Sequence, residues 1–248
     1  MSPAHPTVPT PHDPAQGGLD PAQGGVEPPR RAVVMDVDST LITGEVIEML
    51  AGHAGSRAQV AEITERAMRG EIDFATSLHE RVATLAGLPA TVVQEVRDEL
   101  VLSPGAERLV AALHAARWPL GLVSGGFAEV VEPLAASLGI GFVRANRLEI
   151  VDGRLTGRVS GPVVDRAAKA EALRELAALH GIPLERTVAI GDGANDLDML
   201  ALAGLGIAYN AKPVVCDQAD VAVLGQPLDA VLTLLGLPAH PWGLPAHP

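Results

Sequence analysis

Short apolar runs recur along the chain at AVVMD (32–36), PLGLVS (119–124), TVAIGD (187–192), GLGIAY (204–209) and DVAVL (220–224), with longer stretches of helical character between them. Strand-length apolar runs alternating with helices predict a parallel sheet wrapped by helices. RLEIVDGRLTGRV (147–159) differs: two alternating runs flank Asp152-Gly153, a strong hairpin signal, so a small antiparallel ribbon is expected beside the sheet. Residues 45–100 hold no convincing strand, but Phe74, Leu78, Val82 and Leu85 repeat at helical spacing. The expected fold is therefore α/β, a Rossmann-like parallel sheet with a helical cap inserted after the first strand, over the carboxyl ends where open sheets bind ligands. The expected boundaries are a core of 31–43 and 104–235, a cap of 44–103, and tails of 1–30 and 236–248.

The tails differ in composition from the middle. Residues 1–30 are rich in Pro and Gly and contain the near-duplicate DPAQGGLDPAQGG, while GLPAHP occurs twice from Gly236 onward; such stretches bury too little apolar surface to offset ordering. Disordered tails are expected, and His240 and His247 receive no metal role. The 248 residues are 48% hydrophobic, ample for a core, and the formal charge of -12 argues against a nucleic-acid or anionic-membrane surface. The single cysteine, Cys216, excludes an intrachain disulfide. No apolar run approaches the about 18 residues of a membrane span, and the N-terminus lacks a secretory pattern. A cytoplasmic location is expected. Oligomeric state is not legible.

The chemistry collects at the predicted strand ends. The first run ends in Asp36 and Asp38 with Ser39 and Thr40, the second in Ser124, Gly125 and Gly126, the third in Asp192, Asn195 and Asp196. Residues i and i+2 of a strand share a side, so Asp36 and Asp38 repel unless a cation lies between them, they share a proton, or water solvates them in a turn. Taken singly, these are common turn residues. Together with Lys169 they supply oxygen ligands for Mg²⁺, a cation, a hydroxyl and backbone N–H groups on one sheet edge. Phosphoryl transfer uses all of them.

From about Ala32 to Leu224 the chain resembles the haloacid dehalogenase-like superfamily and, within it, the phosphoserine phosphatase family. DVDSTLI, EVIEML, TERAMRGEIDFATSLHERVATLAGL, SGGF, ANRLEIVDGRLTG, KAEAL and GDGANDLDML carry the resemblance in order and spacing. It implies a hydrolase that converts O-phospho-L-serine to L-serine and phosphate through an aspartyl phosphate, the last step of serine biosynthesis. Asp36 is then the nucleophile and Asp38 the acid and base. Mg²⁺ is held by the Asp36 side chain, the Asp38 carbonyl and Asp192. Ser124, the Gly125 N–H and Lys169 hold phosphoryl oxygens, Asn195 contacts substrate, and Asp196 orients Lys169 or the metal's waters. In the cap, Glu45 and Arg81 match the positions that bind the ammonium and carboxylate, and Met68 and Phe74 those that cover the site. An amino-terminal regulatory domain, and serine feedback through it, is not expected. Two other readings stand beside this one: a related phosphatase or phosphotransferase acting on another small phosphomonoester, and a non-catalytic binding protein that keeps the fold.

Overall fold

The computed structural model describes residues 30–238. A seven-stranded sheet runs in the order β4-β3-β2-β1-β5-β6-β7. Its strands are β1 (Ala32–Met35), β2 (Leu120–Phe127), β3 (Phe142–Val151), β4 (Arg154–Ser160), β5 (Thr187–Gly191), β6 (Leu205–Tyr209) and β7 (Val221–Val223). Neighbours pair in parallel except β3 with β4. β1 shows why the apolar runs are continuous. Val33 and Met35 enter one core layer and Ala32 and Val34 the other, and all four are fully buried. A strand covered on both faces has no polar side to alternate with.

Helices α5 (Ala106–Ala115), α6 (Ala128–Ser137) and α10 (Val231–Leu235) contribute Leu109, Val131 and Leu232 to the first layer. Helices α7 (Arg166–Leu179), α8 (Leu197–Leu202) and α9 (Pro213–Cys216) contribute Leu173, Leu200 and Val215 to the second. The Asp165 carboxylate accepts the Ala168 N–H, which starts α7 and sets Lys169 in its first turns. The chain passes out from β1 toward β2 and β3 and later returns on the other side at β5. The carboxyl ends of β1, β2 and β5 thus surround the point where strand order reverses, the usual ligand crevice of an open sheet.

Between β1 and α5 lie α1 (Val46–Ala54), α2 (Arg57–Met68), α3 (Phe74–Ala83) and α4 (Thr91–Glu99). The backbone leaves and returns side by side: Thr43 N–H donates to Val101 O at 3.0 Å and Ser103 N–H to Leu41 O at 2.8 Å. Leu78, Val82 and Leu85 are buried and continuous with the first core layer, as their spacing requires.

The structure refines two expectations. The hairpin is part of the sheet, because β3 pairs in parallel with β2 through its first half and with β4 through its second. Its first half, FVRAN, is only partly buried and carries Arg144, so no apolar run announces it. The turn is as expected, with Asp152 and Gly153 at φ 49° and 72°. The C-terminal tail boundary at 236 falls early. Gly236 closes α10 at φ 68° and Leu237 folds back into the core, donating its N–H to Leu232 O at 3.0 Å. The other predicted tail residues lie outside the described part, apart from Arg30, whose Nε donates to Arg117 O, and Pro238.

Candidate active site

Asp36 follows β1 directly and its N–H donates to Ile190 O of β5 at 2.9 Å, which fixes the carboxylate between two strand ends. Lys169 reaches it from α7. Its Nζ donates to Asp36 Oδ1 at 2.5 Å and to Asp196 Oδ1 at 2.6 Å, and the lysine is fully buried. Burial opposes the Lys169 charge, but Asp196 and Asp36 outweigh it and push its pKa up, so the ammonium persists. Both oxygens of Asp196 are engaged, because the other one accepts the N–H groups of Asp192 at 3.2 Å and Gly193 at 3.0 Å. It therefore orients the lysine and the loop after β5.

Asp38 sits in an irregular turn over Val37–Leu41, in which Ser39 takes a left-handed φ of 56°. Asp38 Oδ1 accepts the Val46 N–H at 2.8 Å and Oδ2 accepts the Ser124 hydroxyl at 3.1 Å. Burial raises its pKa while those two donors lower it, and the net displacement is upward. The left-handed residue turns Ser39 toward the cap, where its hydroxyl donates to Glu45 Oε1 at 2.7 Å. Burial and the nearby Asp38 raise Glu45 to about 7.

Asp36, Asp192 and Asp196 bring carboxylate oxygens within 4.8 Å of one another. Burial, then the neighbouring carboxylates, raise Asp36 well above the usual range, although Lys169 pulls it down. Asp192 is raised to about 6, with burial the largest cause and Asp196 next. Asp36, Asp38, Asp192 and Asp196 thus share the field of the Lys169 ammonium. A divalent cation fits this donor set: the ligands are hard oxygens, Asp36 and Asp192 keep lone pairs that Lys169 and the backbone do not use, and the excess negative charge needs an offset. The carboxylate of Asp38 is not among the clustered oxygens.

Asp36, Asp38, Glu45 and Asp192 line a cleft of about 490 Å³ between the sheet edge and helices α1 to α3, while Lys169 and Asp196 are fully buried. Phe74 and Arg81 face it from α3, and Gly125, Asn195 and Asp192 from the sheet edge. A β-carbon on Gly125 would meet the Phe74 ring at 3.0 Å, so this glycine keeps the cleft open where cap and loop approach. Arg81 Nε donates to Ser77 O at 3.2 Å. Burial lowers its pKa, against the pull of Glu45 and Asp38. Met68 ends α2, and its side chain lies outside the described part of the structure.

Sequence alone does not single out Arg166 and Lys212, which also line the cleft. Arg166 stands three residues before Lys169 on one helix face, a spacing that could have signalled it, and it pairs with Asp198 at 2.5 Å. Gly126 stands out in the chain only as part of SGGF. A β-carbon there would lie 2.7 Å from Asp38 Oδ2.

Comparison with known proteins agrees with this arrangement. Residues 33–201 match the family model described as haloacid dehalogenase-like hydrolase. A phosphoserine phosphatase of Mycobacterium tuberculosis is 59% identical over 208 residues, 84% of this chain and 51% of the relative. That of Streptomyces coelicolor is 61% identical at the same coverage, so the chain spans about half the length of these relatives. That of Streptococcus thermophilus is 50% identical, over 82% of this chain and 94% of the relative. A solved phospho-aspartyl intermediate analogue of phosphoserine phosphatase superposes with a TM-score of 0.78 at 39% identity, covering 83% of this chain and 98% of the other. A substrate-bound phosphoserine phosphatase complex gives 0.79 at 38% identity with the same coverage. With sheet order, strand-end carboxylates and sequence in agreement, the chain belongs to the haloacid dehalogenase-like hydrolases.

Proposed function

We propose that this protein is a magnesium-dependent phosphoserine phosphatase, hydrolysing O-phospho-L-serine to L-serine and phosphate through a phosphorylated Asp36. The observation that carries the reading is the pairing of Lys169 with Asp36 beside the separately held Asp38, in a cleft that also contains Arg81 and Glu45. Relatives named phosphoserine phosphatase support the substrate.

On this reading Lys169 keeps Asp36 ionised and aimed while it attacks phosphorus, and the serine oxygen leaves. Asp38 gives that oxygen a proton, then takes one from the water that attacks the acyl phosphate. A carboxylic acid of ordinary pKa, ~3.9, is mostly ionised at neutral pH. Burial of Asp38 moves it in the direction its acid role needs. Ser124, the Gly125 N–H and Lys169 hold phosphoryl oxygens, and Asn195 contacts the substrate. Mg²⁺, held by the Asp36 and Asp192 side chains and the Asp38 carbonyl, would supply charge neutralisation at the phosphoryl group. Residues 44–103 act as the cap that selects the substrate. Arg81 offers a fork to the carboxylate, Glu45 an anion to the ammonium, and Phe74 with Met68 an apolar cover. On this reading the reaction is the last step of serine biosynthesis and belongs to the cytoplasm. Among the described residues no helix is long and apolar enough to cross a membrane.

Phosphate release from a panel of phosphomonoesters with Mg²⁺ tests the reading. Phosphoserine is expected to give the highest kcat/KM. A preference for a phosphate without the amino and carboxylate groups, or transfer to an added alcohol in place of water, would contradict it.

A further inference from the structure

Asn146 is a buried polar side chain, 1% exposed, to which the mechanism above gives no part. β2 and β3 are in register at Ser124 with Ala145 and next at Phe127 with Asn146, so Gly125 and Gly126 bulge out of the ladder. Asn146 fills the step. Its Nδ2 donates to the Gly125 carbonyl at 2.8 Å and its Oδ1 accepts the Val164 N–H at 2.8 Å. The Gly125 carbonyl and the Gly126 N–H belong to one planar peptide, so fixing one orients the other. That N–H donates to Ser124 Oγ at 2.7 Å, and Ser124 sends its own proton to Asp38 Oδ2 at 3.1 Å. Hydrogen bonds run unbroken from Asn146 to Asp38. A β-carbon on Gly126 would lie 2.9 Å from Ser124 Oγ, so the peptide packs directly on the pair and is steered from its far side, where Asn146 sits.

We infer that Asn146 is a positioning residue for proton transfer by Asp38, acting through the Gly125–Gly126 peptide and Ser124 without touching substrate. The inference rests on the reading of Asp38 as the acid. The chemistry calls for an amide: one end must donate to a carbonyl and the other accept from an N–H, whereas an ionised carboxyl only accepts and an alkyl group does neither.

Asn146 also holds Val164, which precedes the Asp165 cap of the helix that carries Lys169. A purely scaffolding residue would loosen Lys169 and the phosphate cradle together, and every phosphomonoester would slow alike. Misplacing the acid has a different signature. Serine leaves poorly as an alkoxide and needs the proton, whereas p-nitrophenolate departs without one.

The experiment measures kcat/KM for phosphoserine and a series of aryl phosphates of graded leaving-group pKa. Asn146→Ala is expected to lose at least about tenfold more on phosphoserine than on p-nitrophenyl phosphate, the loss common to both reporting the Ser124 and Gly125 contacts to the phosphoryl group, with a steeper dependence on leaving-group pKa along the aryl series. Asn146→Asp keeps the shape and the Val164 bond but sets an acceptor against the Gly125 carbonyl; the same selectivity is expected, with folding checked by its melting curve. Equal losses on all leaving groups, or no loss, in either folded variant overturn the inference. Asp38→Asn is the control. If it fails to discriminate between leaving groups, the acid role of Asp38 falls, and this inference with it; if it discriminates and the Asn146 variants do not, only the inference falls.

Discussion

Arg81 and Glu45 show what single residues decide in this site. Taken alone, each would pass for an ordinary solvent-facing charge, yet both face the cleft and both are partly buried. On the proposed reading, removing Arg81 leaves a substrate carboxylate unpaired in the cleft, a loss of about 2 to 5 kcal/mol. Arg81→Ala should therefore lower kcat/KM for phosphoserine by about one and a half to four decades, at about 1.4 kcal/mol per decade, and affect p-nitrophenyl phosphate much less. Glu45→Gln should select in the same direction by a smaller factor. Equal losses on both substrates would make Arg81 a structural or general phosphate residue. The strand-end carboxylates are legible in the chain because of their spacing from apolar runs, and Lys169 because KAEAL opens a helix before the run that ends in Asp192. The Ser39–Glu45 bond is not, because it depends on a left-handed Ser39, and the Asn146 link is not, because it depends on a bulge. Neither backbone feature leaves a hydrophobic pattern.

Among the elements, the hairpin does more than edge the sheet. Leu155 exchanges backbone hydrogen bonds with Gly87 and Leu88 in the loop after α3, at 2.8 and 2.9 Å, and Ala90 N–H donates to Gly153 O at 2.8 Å. Gly157 makes the close approach possible: it sits at φ 81°, and a β-carbon there would lie 2.8 Å from Ala86 Cβ. Gly157→Val combines a left-handed β-branched residue with a clash against the cap, and should cost about 2 to 4 kcal/mol in denaturant unfolding. A change under about 0.5 kcal/mol would mean that hairpin and cap are not held together there. The core strands are legible because burial on both faces writes an uninterrupted apolar run. The first half of β3 is not, since a partly exposed strand interrupted by arginine resembles a loop.

For the molecule as a whole, the acidic cleft couples stability to pH and to metal. Glu45 moves from 4.5 to about 7 and Asp192 from 3.8 to about 6, so in both the folded state holds its proton more tightly than the unfolded chain does. Such groups stabilise fully below their unfolded pKa values and lose that contribution as pH rises through about 6 to 7. The metal-free protein should accordingly lose this part of its stability between about pH 4 and pH 7, because a tenfold tighter hold on one proton is worth about 1.4 kcal/mol. On the proposed reading Mg²⁺ binds the ionised carboxylates, so the rise in Tm that it produces should be larger at pH 8 than at pH 5. An equal or smaller rise at pH 8 would argue against a cation held by Asp36 and Asp192. The central claim is that Asp36 carries the phosphoryl group between substrate and water. Acid quenching during turnover of phosphoserine, followed by peptide mass spectrometry, tests it directly. One phosphoryl group is predicted on the peptide containing Asp36, sensitive to hydroxylamine and missing from a folded, inactive Asp36→Asn. Turnover by that variant, or a phosphoryl group trapped on another residue, would contradict the account.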